Sequence, residues 1–274
     1  MIPAAFDYVR AGSVEHALAL LAEHGDDAKL LAGGHSLLPL MKLRLAAPSV
    51  LVDVGRLPGL SYVRQEGGEI AIGALTRHRD LEIDPVLHDH APLLAKAASL
   101  VGDPQVRHRG TIGGSLAHGD PASDLPAAVL AMGGTLVATG PRGVRRIPAA
   151  DFSEGSLETA LAPDELLTAV RVPDAAGAGW SFQKFTRRAQ DWAIVGCAVV
   201  RGDITGVALV NMGPTTLRAG AVEEPLAAGA SAGDAAAHAA EGTEPSSDIT
   251  ASAEYRSHLA RVLVRRALVE AGNP

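Results

Sequence analysis

The chain has 274 residues, 47% of them apolar, and carries a formal charge of −7. That length and apolar share support a core divided over two or three packed units, and the acidic balance with scattered Lys and Arg leaves no basic stripe to track nucleic acid. One cysteine, Cys197, excludes an internal disulfide, a structural zinc site and an iron–sulfur cluster built by this chain alone.

No stretch approaches the roughly 18 apolar residues of a membrane span, and residues 1–7 hold no charged region followed by a long apolar run. The expectation is a soluble, cytoplasmic protein with no membrane span. In chain order, 13–24 reads as an amphipathic helix capped by Ser13 and stopped by Gly25. Short buried strands are expected at 29–32 and 49–54. Glycine-bounded alternation at 68–74 predicts a half-buried strand, and Thr76 is placed to cap a following helix. Helices at 93–100 and 124–132, a strand at 135–139, a short helix after Pro163 and a strand at 167–172 complete this stretch. The small residues 175–179 suit a flexible linker. Beyond them the apolar runs 193–200 and 204–212 suggest an antiparallel sheet. The alanine-rich 226–242 fits a helix or a mobile segment, and 252–271 is a helix with Leu259, Val262, Leu263, Ala267 and Leu268 on one face.

Two glycine segments carry the chemistry. In the first, Ala32-Gly33-Gly34-His35-Ser36-Leu37, a strand runs into paired glycines. Glycine accepts positive φ and has no Cβ, so successive N–H groups can converge on an anion such as a diphosphate, with the Ser36 hydroxyl as a further donor. A tight turn with Ser36 as an N-cap is the competing reading. The second segment, residues 110–119, holds four glycines in ten positions, Gly110, Gly113, Gly114 and Gly119, with the run Gly110-Thr111-Ile112-Gly113-Gly114-Ser115 at its start, and a loop of bare backbone here would receive a flat ligand. Asp124 follows, as an acceptor for ligand hydroxyls or as the N-cap of its helix. Neither Gly-x-Gly-x-x-Gly nor a P-loop occurs, so the two segments must meet in space, each from its own α/β unit.

On these residues, together with Lys42-Leu43-Arg44, Asp120-Pro121, Lys184-Phe185-Thr186-Arg187-Arg188 and Asp191-Trp192-Ala193, the sequence resembles the FAD-binding medium subunit of the carbon monoxide dehydrogenase and xanthine dehydrogenase family, the molybdenum hydroxylases. The resemblance covers nearly the whole chain. It implies an α+β architecture: two α/β FAD-binding subdomains, 1–57 and 58–174, then a C-terminal domain, 178–274, with a small antiparallel sheet and helices. FAD would contact Ala32, Gly33, Gly34, His35, Ser36 and Leu37 of the first segment and Thr111, Ile112, Gly113, Gly114 and Ser115 of the second. His118, Asp124, Leu167, Lys184 and Trp192 complete the implied contacts, though Trp192 equally suits an ordinary core aromatic. The implied role is electron transfer: a large molybdopterin-binding subunit oxidises substrate, a small 2Fe-2S subunit relays electrons, and FAD here passes them to an acceptor, in a dimer of heterotrimers. No protein acid, base or nucleophile is expected to be catalytic.

Three rivals stand beside this. A stand-alone FAD-dependent oxidase or reductase of the same fold would share both segments, and His35 would tether FAD covalently in some relatives of that wider fold. A scaffold subunit that had lost flavin would not need both segments intact. A metal enzyme built from His78, His88, His90, His108 and His118 lacks recognisable ligand spacing.

Overall fold

The computed structural model describes residues 2–272. The first unit runs β1 (Asp7–Arg10), α1 (Val14–His24), β2 (Ala28–Leu31), α2 (Leu37–Lys42) and β3 (Val50–Asp53). Its three strands are parallel in the order β1-β3-β2. Parallel neighbours need crossover connections, and α1 is one: Ser13 Oγ accepts the His16 N–H at 3.1 Å, and Gly25 ends the helix at φ 52°. All three strands finish at the same edge, where β2 enters the first glycine segment and β3 enters Val54–Gly55. Ligands of parallel α/β sheets lie beyond the carboxyl ends of the strands, so this edge is the one that matters.

The second unit holds β4 (Val63–Glu66), β5 (Glu69–Gly73), α3 (His78–Ile83), α4 (Pro85–His90), α5 (Pro92–Ser99), α6 (Pro104–Arg109), α7 (Ile112–His118), α8 (Asp124–Ala131), β6 (Thr135–Gly140), β7 (Gly143–Pro148), β8 (Ser153–Gly155), β9 (Glu158–Thr159) and β10 (Leu166–Pro173). Five strands form an antiparallel sheet in the order β4-β5-β10-β6-β7. The third unit has the antiparallel sheet β11 (Gly179–Phe185), β12 (Val195–Arg201), β13 (Gly206–Val210) and β14 (Leu217–Arg218), followed by α9 (Gly220–Ala227), α10 (Ala232–Ala237) and α11 (Ala253–Ala271).

The units share cores. Every residue of α8 is buried, the signature of a helix wrapped on all sides by apolar neighbours. Its Leu125, Val129 and Leu130 pack in one cluster with Ile72 and Val170 of the second sheet and Phe182, Ala198 and Val210 of the third. Leu75 and Leu166 of the second unit join the core of the first, beside Val52, Val54 and Leu57.

Four local expectations are corrected. Thr76 does not cap α3: its hydroxyl pairs with the Tyr62 backbone, donating to the carbonyl and accepting the N–H, and Arg77 holds the N-cap position. No helix follows Pro163; Glu165 instead accepts the Ala162 N–H and pairs with Arg145, and that ion pair fixes a turn. The stretch 175–179 is not a free spacer, because the Ala175 N–H bonds to His90 O at 2.8 Å and Gly179 lies directly on the Ala271 carbonyl, where a Cβ would not fit. In α11 the buried face takes Val264 rather than Val262, and Arg256 lies within it. The alanine-rich stretch resolves into the end of α9, the short helix α10 and turns.

Candidate functional site

The first segment leaves β2 as an open turn. Gly34 sits at φ 79°, a conformation glycine alone adopts without strain, whereas Gly33 owes its identity to space: a Cβ there would enter the Arg109 carbonyl and come within 2.9 Å of Gly110 Cα. Among the described residues, the N–H groups of Gly33, Gly34, His35 and Ser36 have no partner within the protein. Ser36 precedes α2 without capping it through its side chain, and Leu37 opens that helix half-buried. Four consecutive donors without protein partners at the carboxyl edge of a parallel sheet have the arrangement that suits an anion. The exposed His35 ring has its pKa lowered by partial burial and by Arg109.

The second segment is not the loop its glycines suggest. Residues 112–118 are the helix α7, capped by Thr111, whose Oγ1 accepts the Gly114 N–H at 3.1 Å. Gly113 and Ile112 donate to Ala74 O and Thr76 O, and Ser115 to Thr111 O. The first-turn donors of α7 are therefore spent; Thr111, Ile112 and Gly113 are buried, and of the segment's predicted contacts only Gly114 and Ser115 are part-exposed. Gly113 is required by packing, since its Cβ would lie 2.6 Å from Ala74 Cβ. Gly110 similarly covers His78, whose Nε2 would be 2.6 Å from an added Cβ. That imidazole is buried with Nδ1 unpartnered, and burial, then His35, Arg77 and Arg107, push its pKa down to about 4. It is a neutral wedge beneath the segment.

The two segments meet. Gly33 rests on Arg109–Gly110, and a Cβ on Gly114 would be 3.9 Å from Ala32 Cβ. Beside the junction a groove of about 580 Å3 opens, lined by His35, Arg79, Pro104, Gln105, His108 and Arg109.

Asp124 and Lys184, more than fifty residues apart, pair with each other at 2.7 Å, and Lys184 Nζ also donates to Leu100 O. The reading of Asp124 as the N-cap of its helix falls: Ser123 holds the cap position and Asp124 is the first helical residue. Its Oδ1 is buried without a partner, and burial pushes its pKa up to about 6 against the opposing pull of Lys184. An acceptor in that state fits a ligand hydroxyl. His118 ends α7 half-buried, its pKa lowered by burial. Leu167 is core, on β10 at a register shift opposite Ala138. Trp192 is 58% exposed and so is no core aromatic. Its loop is held by Asn211, whose side-chain amide donates to Ala193 O and Ile194 O, and by the buried Arg256, which donates to Ile194 O. Arg77, His78, Asn211 and Arg256 carry no sequence signal of these roles.

A partnerless run of N–H groups against a second glycine segment, on a two-lobed α/β scaffold with a third sheet behind it, defines a dinucleotide-binding flavoprotein. Residues 4–175 match the family described as the FAD binding domain in molybdopterin dehydrogenase, and residues 180–271 match the CO dehydrogenase flavoprotein C-terminal domain. The chain belongs to this family of FAD-binding medium subunits of molybdenum hydroxylases; it is an oxidoreductase subunit, and its cofactor is FAD. It is 44% identical to the carbon monoxide dehydrogenase medium chain of Hydrogenophaga pseudoflava, over 98% of this chain and 97% of that one. It is 43% identical to the 6-hydroxypseudooxynicotine dehydrogenase complex subunit alpha of Paenarthrobacter nicotinovorans, over 99% and 96%. The solved carbon monoxide dehydrogenase from H. pseudoflava that lacks the Mo-pyranopterin moiety superposes with a TM-score of 0.93 at 45% identity, over 99% of both chains. Among the described residues no helix is long and apolar enough to cross a membrane, and no cluster of three His, Cys, Asp or Glu side chains is arranged for a metal.

Proposed function

We propose that this chain accepts electrons from the iron–sulfur clusters of a small partner subunit, themselves reduced by a large molybdopterin-bearing subunit, and delivers them through FAD to an external acceptor, within a cytoplasmic dimer of heterotrimers. The chain falls into two FAD-binding subdomains, 1–57 and 58–174, and a C-terminal domain, 178–274. The observation that carries the reading is the run of four consecutive N–H groups from Gly33 to Ser36 with no partner within the protein, which a bound diphosphate would receive together.

In this reading residues 32–37 take the diphosphate, while residues 111–115 and His118 supply a glycine-bared wall. Asp124 Oδ1 accepts a hydroxyl of the ligand, and Lys184 holds that carboxylate in place. Leu167 backs the cleft, and the exposed ring of Trp192 is available to cover a flat heterocycle. The bound flavin supplies the redox chemistry, which joins one-electron donors to two-electron acceptors. This chain's residues bind it, orient it and exclude water.

The test is the variant Gly34→Asp. A carboxylate facing the diphosphate, at a position already strained for any Cβ, should leave the protein colourless while wild type is yellow. Full flavin absorbance near ~450 nm in that variant would end the diphosphate assignment. Molybdenum and iron co-purifying with the wild-type chain would support the assembly, and a lone yellow chain would favour the stand-alone flavoprotein. A colourless supernatant over a yellow pellet after acid precipitation would reveal a tether through His35.

A further inference from the structure

The contact between the first two units has a single polar fastening. Among the described residues, the one hydrogen bond that joins residues 2–57 to the second unit is Arg77 Nη2 to Gly55 O, at 3.1 Å. The other arm of the same guanidinium, Nη1, donates to Arg109 O.

These two carbonyls are the supports of the first glycine segment. Gly55 lies behind Ala32, where a Cβ on Gly55 would be 2.8 Å from Ala32 O, and Arg109 lies behind Gly33, whose missing Cβ leaves room for its carbonyl. Arg77 thus grips the peptide behind each of two adjacent residues of the anion site.

Its own position is dictated by the second segment. Arg77 forms an antiparallel bridge with Thr111, flanked by the His78 N–H on Gly110 O at 3.0 Å and the Ile112 N–H on Thr76 O at 3.1 Å. On the far side, the Gly55 peptide is held by Asp53, whose Oδ1 accepts the Gly55 N–H at 2.8 Å while Oδ2 accepts the Tyr8 hydroxyl. A continuous chain of bonds therefore runs from β1 through Asp53, Gly55 and Arg77 to Arg109.

Resting on the FAD reading above, we propose that Arg77 is a positioning residue that fixes the separation of the two glycine segments, and thereby the affinity for the FAD diphosphate, through simultaneous bonds to Gly55 O and Arg109 O. The role requires a planar fork with two diverging donor arms. A lysine ammonium on one flexible stem cannot hold both carbonyls at the same geometry.

The experiment uses the full chain, purified in whatever assembly it forms and stripped of flavin. It is titrated with FAD for wild type, Arg77→Met, Arg77→Lys, Asp53→Ala and Gly34→Asp, and followed by flavin fluorescence and visible circular dichroism. Both Arg77 variants should bind FAD at least ~10-fold more weakly, with an altered flavin dichroism band and a flavin-free melting temperature within a few degrees of wild type. Asp53→Ala, which keeps the arginine and frees the Gly55 peptide, should move affinity the same way by a smaller factor, and it serves if Arg77→Met does not fold. If wild type binds, Gly34→Asp does not, and Arg77→Met binds within twofold of wild type, the clasp is overturned and the diphosphate site stands. Full rescue by Arg77→Lys also overturns it, because a point charge then suffices. If wild type fails to bind FAD, or Gly34→Asp binds as wild type does, the site reading itself fails and the clasp falls with it.

Discussion

Lys184 Nζ lies 2.7 Å from Asp124 Oδ2, an ion pair with side chains only 8% and 6% exposed, at the seam between α8 of the second unit and β11 of the third. Desolvation makes such a pair a poor source of net stability, but removal of one partner strands the other. Lys184→Met should therefore destabilise the flavin-free protein by about 3–5 kcal/mol near pH 8. The sign with pH follows from the carboxyl. Burial already raises its pKa to about 6, and loss of the lysine raises it further, so the penalty is full above that pKa and is relieved as pH falls and the group protonates. Urea unfolding at pH 8 and pH 5 measures this, and a penalty that does not change between them would mean the carboxylate is not the stranded group. Adding Asp124→Asn should recover much of the loss.

His78 titrates with the opposite sense. Its pKa in the folded protein is about 4, below the ordinary 6.5, so the neutral ring contributes stability that is present above pH 6.5 and lost as pH falls toward 4. The full shift corresponds to about 3 kcal/mol. Asp124, with a raised pKa, gains stability over part of the same range and masks the effect in wild type alone. The difference between wild type and His78→Gln isolates it: wild type should lose its advantage between pH 6.5 and pH 4. A difference that stays flat over that window would show that His78 is not buried neutral beneath Gly110.

Much of this scaffold was legible in the sequence. Ser13 and Gly25 bracket α1 because cap chemistry is local, and the apolar runs at 193–200 and 204–212 became β12 and β13 because alternation and β-branching are local too. Both glycine segments stood out, and they do meet. What escaped is what only tertiary contact decides. Residues 112–118 read as a loop because consecutive glycines disfavour a helix, yet the Thr111 cap and bonds to Ala74 O and Thr76 O impose one. Gly113, expected as a ligand contact, is also required as spacing against Ala74, which no local pattern reveals. Thr76-Arg77-His78 carries the pattern of a helix start, which hides a bridge to Thr111 and a clasp across two units. Arg256 belongs to a helix whose other arginines face water, and nothing in its spacing marks it as the buried one.

Gly33 and Gly220 offer a direct contrast between a glycine needed for close approach and one that is not. Gly33→Ala drives a methyl into the Arg109 carbonyl, where both neighbours are backbone and cannot swing away. It should cost about 1–3 kcal/mol and weaken FAD binding as the segments part. Gly220 opens α9 at ordinary φ with nothing within 4 Å of an added Cβ, so Gly220→Ala should be neutral or stabilise by up to about 1 kcal/mol through helix propensity, without effect on FAD. Paired denaturation and FAD titrations check both, and a Gly33→Ala protein indistinguishable from Gly220→Ala would remove the steric account of the junction.

Asn211 links the Trp192 loop to the turn that precedes Asp124. Its N–H donates to Pro121 O at 2.8 Å, its side-chain amide donates to Ala193 O at 2.8 Å, and its backbone sits at φ 60°, which asparagine tolerates and alanine does not. Two costs can therefore be separated. Asn211→Gly loses the amide bonds but keeps the backbone comfortable, for a cost of about 1 kcal/mol. Asn211→Ala adds the left-handed penalty and should be about 1 kcal/mol worse again. In both, the Trp192 loop loses a tether, so the ratio of Trp192 to Trp180 fluorescence quenching by iodide should rise, while Trp192→Phe removes that change. Equal stability of the two variants would mean that the backbone at 211 relaxes out of the left-handed region, and unaltered quenching would mean that the bond from Arg256 to Ile194 O holds the loop by itself.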